Sequence, residues 1–429
     1  MSEARTNSER PTIIPGRYIV FLKHYVHEPI QMSHISSVET RCAGRCHSMD
    51  ESERPAKFVD TTIELPGLRG YAGVFDDKTL EEIKSSHVVS HVEPDQYVYP
   101  CKVTQENVPS WGLARLSHQG PLGSDEASKQ YVYNEDADGH GTTAYVIDTG
   151  IYVEHEDFEG RARWGIVVPK NATKKDFDGH GTHVAGTIGS KTYGVAKKAN
   201  LVAVKIFPDG AGQGGSMSDI IKGLDWAVRD AQERGDIHKC VANMSIGGGR
   251  MNAVNVAIAA AVKAGMTVCV AAGNESTDAL NTSPASAPEA ITVGSTDKND
   301  GFSTYSNYGR ILDILAPGRA IVSCSNKGPR ESVALSGTSM ATPHVTGMAC
   351  SILTDGKIKT PADVIRKMLD IGEDGSITGA LNSSPNRLLK QIPAQDTQQP
   401  PTAGGDDEEE GEWDWLLCTK GKGSKKTDL

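Results

Sequence analysis

The sequence has no apolar run that approaches the roughly 18 residues needed to cross a bilayer, so none of its 429 residues reads as a membrane span. Its opening stretch, MSEARTNSERPTIIPGRY, lacks the apolar core of a secretory signal. The chain therefore does not announce export, and either a cytosolic protein or an incomplete start fits. A second pair of cysteines at zinc-finger spacing is absent. Cys42 and Cys46 form a lone C-x3-C beside His47, while Cys269 and Cys350 sit in apolar runs and read as small core residues. A domain of this size has no need of disulfides, so cysteine usage leaves the compartment open. Basic residues are outnumbered, 44 Lys and Arg against 55 Asp and Glu. A net charge of −11 and a pI near 5.7 argue against a general nucleic-acid binder. What the chain has in abundance is glycine, 45 residues, which points to many tight turns and close backbone approaches.

Four zones follow one another. Residues 1–14 are a polar tail. Residues 15–101 form a compact α+β segment with strand-like RYIVFL and HVVSHVEP and a helical DKTLEEIKSS. In residues 102–393, β-rich runs (AYVIDTG, LVAVKIF, CVANMSIGG, MTVCVAAGN, AITVGST, LDILAPG) alternate with helical stretches such as SMSDIIKGLDWAVRDAQ and NAVNVAIAAAVKAG. That alternation predicts an α/β fold, a mostly parallel sheet with helices on both faces. Residues 394–429 hold an acidic run, Trp413, Trp415 and a lysine-rich end, and are expected to be a disordered tail; a docking peptide built on Trp413, Trp415 and Leu416 is the alternative.

The run D-G-H-G-T occurs twice, at 138–142 and 178–182. After His140 comes a strand-like TTAYVID; after His180 come small residues with helix character. Asp148 ends a strand, Ser245 and Asn274 follow two others, and Ser339 opens an apolar helix. In a parallel sheet such positions converge beyond the carboxyl ends of the strands. His183, one turn beyond His180, reads as a packing or hydrogen-bonding partner. An H-x-x-H zinc site would need a third ligand and an open position, and is rejected.

VIDTGI at 146–151, HGTHVAGT at 180–187 and GTSMATPHV at 337–345 resemble the three signatures of the subtilisin-like serine peptidases, most closely the proteinase K branch. WGLAR, IGGG, AAGN and SPASAP extend the similarity along the long zone. The resemblance implies a subtilisin-like three-layer domain with Ser339 as nucleophile, His180 as general base and Asp148 as its orienting carboxylate. It implies Asn274, with the Ser339 N–H, as oxyanion donor. His140 is left as a surface-turn residue.

The resemblance also implies that Ser245, Ile246 and Gly247 line one side of an extended peptide and Gly210, Ala211 and Gly212 the other, with Ala271, Ala272 and Gly273 around a roomy apolar primary pocket. No acidic residue in these stretches asks for a basic side chain. Gly214 stands where proteinase K has a tyrosine. Thr143 and Ile291 replace two of that enzyme's disulfide cysteines, and Val184 replaces its cysteine beside the catalytic histidine. No cofactor is implied for the chemistry. A structural calcium held by Asp313 and the carbonyls of Pro288 and Ala290 is implied as a hard-cation site, with a simple turn cap at Asp313 as the rival.

Residues 15–101 resemble the family's inhibitory propeptide (type I9), with Tyr97–Pro100 lying in the cleft like a product and self-cleavage near residues 101–105. Expected partners are protein or peptide substrates and the chain's own propeptide, with no nucleic acid, no membrane, and a monomer. Family members are typically secreted or vacuolar. Of five N-x-S/T sequons, at Asn171, Asn243, Asn274, Asn281 and Asn382, two fall on expected active-site strands and do not establish secretion. Two other classes stay open: a catalytically silent scaffold of this fold, and an α/β-hydrolase. The latter needs G-x-S-x-G, whereas Ser339 lies in G-T-S-M-A.

Overall fold

The computed structural model describes residues 13–45, 57–96, 102–125, 127–210, 212 and 214–392. Several expectations fall outside them: Cys46 and His47, the product-like Tyr97–Pro100, Cys101, Ala211 and the C-terminal tail. The chain divides into two compact units between Tyr99 and Pro100.

The first unit is a four-stranded antiparallel sheet ordered β2-β3-β1-β4, from β1 (Ile13–Leu22), β2 (Val59–Leu65), β3 (Leu68–Val74) and β4 (Val89–Gln96). Helices α1 (Glu28–Arg45) and α2 (Asp77–Lys84) complete it. α2 starts where the sequence says it should, since Asp76 caps it by accepting the N–H groups of Lys78 and Thr79. α1 has no visible apolar stripe in the sequence. It buries Gln31, Ile35, Val38 and Cys42, a narrow seam spaced four, three and four residues apart, with a polar residue at one position.

The second unit opens with β5 (Lys102–Gln105), α3 (Trp111–Ser117) and β6 (Tyr131–Asn134), β5 pairing with β6. Its centre is a nine-stranded sheet built from β7 (Thr143–Asp148), β8 (Ala162–Val167), β9 (Asn200–Lys205), β10 (Cys240–Met244) and, later in the chain, β12 (Thr267–Ala271), β14 (Ile291–Thr296), β15 (Ile314–Pro317), β18 (Glu373–Asp374) and β19 (Arg387–Leu388). The order is β18-β19-β15-β14-β12-β10-β7-β9-β8, parallel throughout except β18–β19. Every residue of β7, β10, β12 and β14 is buried, which is why these strands read as near-continuous apolar runs.

Helices α4 (His180–Gly189) and α7 (Thr338–Leu353) share one core cluster against one face. On the other face lie α5 (Met217–Glu233), capped by Ser216, and α6 (Asn252–Lys263). Two short antiparallel pairs, β11 (Gly248–Gly249) with β13 (Thr282–Ser283) and β16 (Ile321–Cys324) with β17 (Ser332–Leu335), lie outside the main sheet. α8 (Pro361–Ile371) follows α7, capped by Thr360 with Pro361 in its first turn. Among the described residues no helix is long and apolar enough to cross a membrane.

Candidate active site

Asp148 is the last residue of β7 and fully buried. Its Oδ1 accepts the N–H of Thr149 at 2.7 Å and faces Nδ1 of His180 at 2.8 Å, with Oδ2 3.0 Å from the same nitrogen. An ionised carboxylate only accepts, so the pairing fixes the proton on Nδ1 and leaves Nε2 as a base. His180 is 26% exposed where Asp148 is 0%. Burial pulls the imidazole's pKa down, but the charge and hydrogen bond of Asp148, backed by Asp178 and Asp176, outweigh it and leave the pKa above its ordinary value.

Two glycines make this approach feasible. A Cβ on Gly181 would lie 2.1 Å from the Gly150 carbonyl oxygen. Gly179 has φ +95°, and a Cβ there would meet Asn326 Oδ1 at 2.7 Å.

Ser339 is the second residue of α7, whose N-terminal cap Gly337 has φ +154°, a conformation that L side chains rarely adopt. Its Oγ donates to the Ser245 carbonyl at 3.1 Å, and Ser245 Oγ donates back to the Ser339 carbonyl at 2.9 Å. The second bond has a cause inside the helix. In an α-helix the Ser339 carbonyl would accept the N–H four residues on, but that residue is Pro343, which has none. The strand side supplies the missing donor. Ser245 is held in turn by Asn243 Nδ2 at 2.9 Å, and Asn243 Oδ1 accepts Thr346 Oγ1 at 2.8 Å. Asn243 is wholly buried in this network, which removes its sequon from any glycan acceptor.

Asn274 is exposed. Its Oδ1 accepts the N–H of Thr338 at 2.8 Å and its hydroxyl at 3.1 Å, so the amide nitrogen is the end left for an incoming oxygen. His180, Asn274 and Ser339 line one cavity of about 540 Å³. Asn326, Lys327 and Val333, on the turn and second strand of the β16–β17 hairpin, form another wall. Sequence reasoning did not find that wall. Its signal was the turn-like SNKGPRE between the β-branched runs IVSC and SVAL.

The remaining candidates are spread around this centre. Ser245 and Ile246 are buried and Gly247 is exposed. Gly210 and Gly212 are exposed with positive φ, and the Gly212 N–H reaches Asp178 Oδ2 at 3.1 Å. Ala271 and Ala272 are buried, with the Ala272 carbonyl accepting Asn307 Nδ2 at 3.0 Å, and the Gly273 N–H bonds Thr338 Oγ1 at 3.1 Å. His183 is buried with Nε2 on the Ile321 carbonyl at 2.8 Å, and burial pulls its pKa down to about 4. His140 is exposed in a turn. Thr143, Val184 and Ile291 are buried, Cys240, Cys269, Cys324 and Cys350 are buried free thiols, and Cys42 is buried.

Asp313 accepts the Thr292 N–H on Oδ2 at 2.8 Å and has no cationic partner among the described residues. Burial pushes its pKa up to about 6. A half-buried carboxylate with a single backbone donor fits a hard cation, and Pro288 and Ala290 precede the strand paired beside it. Among the described residues no group of three or more His, Cys, Asp or Glu side chains could hold a metal, so such a site would lean on backbone carbonyls.

The Subtilase family profile matches residues 139–381, and the Peptidase inhibitor I9 profile matches residues 17–100. The chain is 42% identical over 391 residues to alkaline protease 1 of Aspergillus clavatus, covering 90% of this chain and 93% of that protein. It is 42% identical over 374 residues to subtilisin-like protease 3 of Arthroderma otae, covering 86% of this chain and 90% of the relative. A solved cold adapted subtilisin-like serine proteinase aligns with a TM-score of 0.60 and 40% identity, over 66% of this chain and 98% of its own.

Proposed function

The chain belongs to the subtilase family and is a subtilisin-like serine endopeptidase with an I9-type inhibitor domain, and on that premise we propose that Asp148, His180 and Ser339 are its catalytic triad. The observation that carries this is the His180–Asp148 pair opening onto the cavity that Ser339 and Asn274 also line. The Ser339 hydroxyl rests on the Ser245 carbonyl. Rotation about its Cα–Cβ bond turns it toward His180 when a substrate carbonyl enters.

His180 Nε2 then takes the hydroxyl proton as Oγ attacks the peptide carbon. Asp148 stabilises the imidazolium that results, and the Asn274 amide with the Ser339 N–H receives the developing oxyanion. The same proton passes to the leaving amine as the C–N bond breaks, giving an acyl-enzyme. Water, deprotonated by His180, releases the acid and restores the serine.

An extended peptide would lie between Ser245–Gly247 and the Gly210–Gly212 turn, paired through main-chain bonds. The small residues Ala271 to Gly273 support a broad or apolar and aromatic preference at the residue before the cut. The precursor is inhibited by its own residues 15–101 and cuts itself near residues 101–105. The mature enzyme acts as a monomer, with a calcium ion at Asp313 serving stability rather than chemistry.

Intact mass of the wild type and Ser339→Ala, before and after a sulfonyl fluoride, tests the reading. The wild type should shorten to a fragment beginning near residues 101–105 and gain one adduct, and the variant should do neither. A Ser339→Ala chain that loses its first hundred or so residues unaided would remove self-processing. A wild type unlabelled even after limited digestion of that segment would favour a silent scaffold.

A further inference from the structure

The catalytic helix α4 begins at a glycine cap that has no side chain to offer its orphan N–H groups. Asp176, four residues before His180, fills that role while 4% exposed. Its Oδ1 accepts the Gly179 N–H at 2.9 Å, and its Oδ2 accepts the Thr182 N–H at 3.0 Å and hydroxyl at 2.6 Å. The same carboxylate reaches across to the strand. Oδ1 also accepts Thr149 Oγ1 at 2.9 Å, and Thr149 Oγ1 accepts the Gly181 N–H at 2.9 Å. Thr149 is the residue whose own N–H bonds Asp148. The Asp176 carbonyl accepts Asn326 Nδ2 at 3.0 Å, which ties in the hairpin wall of the cavity.

Lys205, on the strand beside Asp148, donates to the Thr149 carbonyl at 3.0 Å and to the Lys175 carbonyl at 2.8 Å. The charged groups around this knot are therefore Asp148, Asp178, His180 and Lys205, with Asp209 3.3 Å from the Lys205 ammonium. All the bonds to the Asp176 carboxylate run to the two flanks of the Asp148–His180 pair and none to the pair itself.

We propose that Asp176 is a positioning residue: its buried carboxylate locks the end of β7 to the start of α4, fixing the distance and angle between Asp148 and His180. This rests on the triad reading above. A cap alone would engage only the helix. The bond to Thr149 gives the carboxylate a second, catalytic-side purpose, because a small displacement of a positioned base costs rate far more than it costs stability.

The test uses Asp176→Asn and Thr149→Val, with Thr149→Ser keeping the hydroxyl as control. In full-length chains that also carry Ser339→Ala, the low-field Nδ1–H proton of His180 is followed by NMR as pH is varied. In chains with Ser339 intact, kcat and KM are measured on a peptide anilide. Asp176→Asn should move the His180 titration to lower pH, and it and Thr149→Val should each cut kcat by about 100-fold. KM should stay within about twofold, and Thr149→Ser should behave as the parent.

An unchanged titration with unchanged kcat overturns the proposal. So does a kcat loss that merely follows a lowered melting temperature while the proton signal stays in place. If Asp176→Asn fails to fold, Thr149→Val decides alone. A wild type that neither cuts the anilide nor takes the sulfonyl fluoride removes the peptidase reading, and the His180 titration then judges Asp176 by itself.

Discussion

At the scale of single residues, the pairing of Asp148 with His180 sets the pH behaviour. In the proposed triad the neutral imidazole is the working form, so kcat/KM should climb as pH rises through the His180 pKa, which Asp148 holds above the ordinary value of about 6.5 against the pull of burial. In Asp148→Asn the opposing effect of burial is left nearly alone. The acid limb should then move to lower pH while kcat falls by about 10,000-fold; a pH series of kcat/KM for both proteins checks this, and an unmoved limb would mean another group titrates. These residues were legible because their motifs are dense and each ends or begins an element. Asp176 was not. In DFDGHGTH two aspartates flank one phenylalanine, and nothing in the letters says that Asp178 is exposed while Asp176 is buried with four donors.

At the scale of elements, α7 takes the position of its proposed nucleophile from Ser245, the residue that follows β10. Pro343 denies the Ser339 carbonyl its helical partner, and Ser245 takes the vacancy. Pro343→Ala restores a competing N–H inside the helix, where alanine is intrinsically favoured by about 3 kcal/mol over proline. The melting temperature should hold or rise while kcat falls about tenfold, because Ser339 is released from its strand-set position. Parallel calorimetry and kinetics check it; losses of both together would mean simple misfolding. The buried parallel strands were legible from their unbroken apolar runs. α1 and α8 were not, since α1 buries only a narrow seam that includes Gln31, and α8 is announced by its cap, Thr360 before Pro361, more than by its composition. The β16–β17 hairpin was missed because each of its strands is only four residues long and β17 leaves Val333 and Ala334 exposed, and only the structure shows that its turn borders the cavity.

At the scale of the whole molecule, Asp313 links stability to pH, and the proposed calcium would act through the same carboxylate. Its folded pKa, near 6, exceeds the ordinary 3.8, so without a cation its contribution is fully present below about pH 4 and is lost as pH rises through 6. The penalty at neutral pH is up to about 3 kcal/mol. Melting temperature in chelator should therefore fall between pH 4 and 7, and calcium should flatten the slope. Asp313→Asn should remove both the slope and the calcium response, and a slope that survives this change would assign it elsewhere. The strand-to-helix joint at Ser339 has a different global consequence. Turnover depends on two elements keeping one mutual setting, whereas the folded state depends on the entire core. Warming should therefore silence the enzyme several degrees before circular dichroism reports any melting, and brief cooling should bring the full rate back.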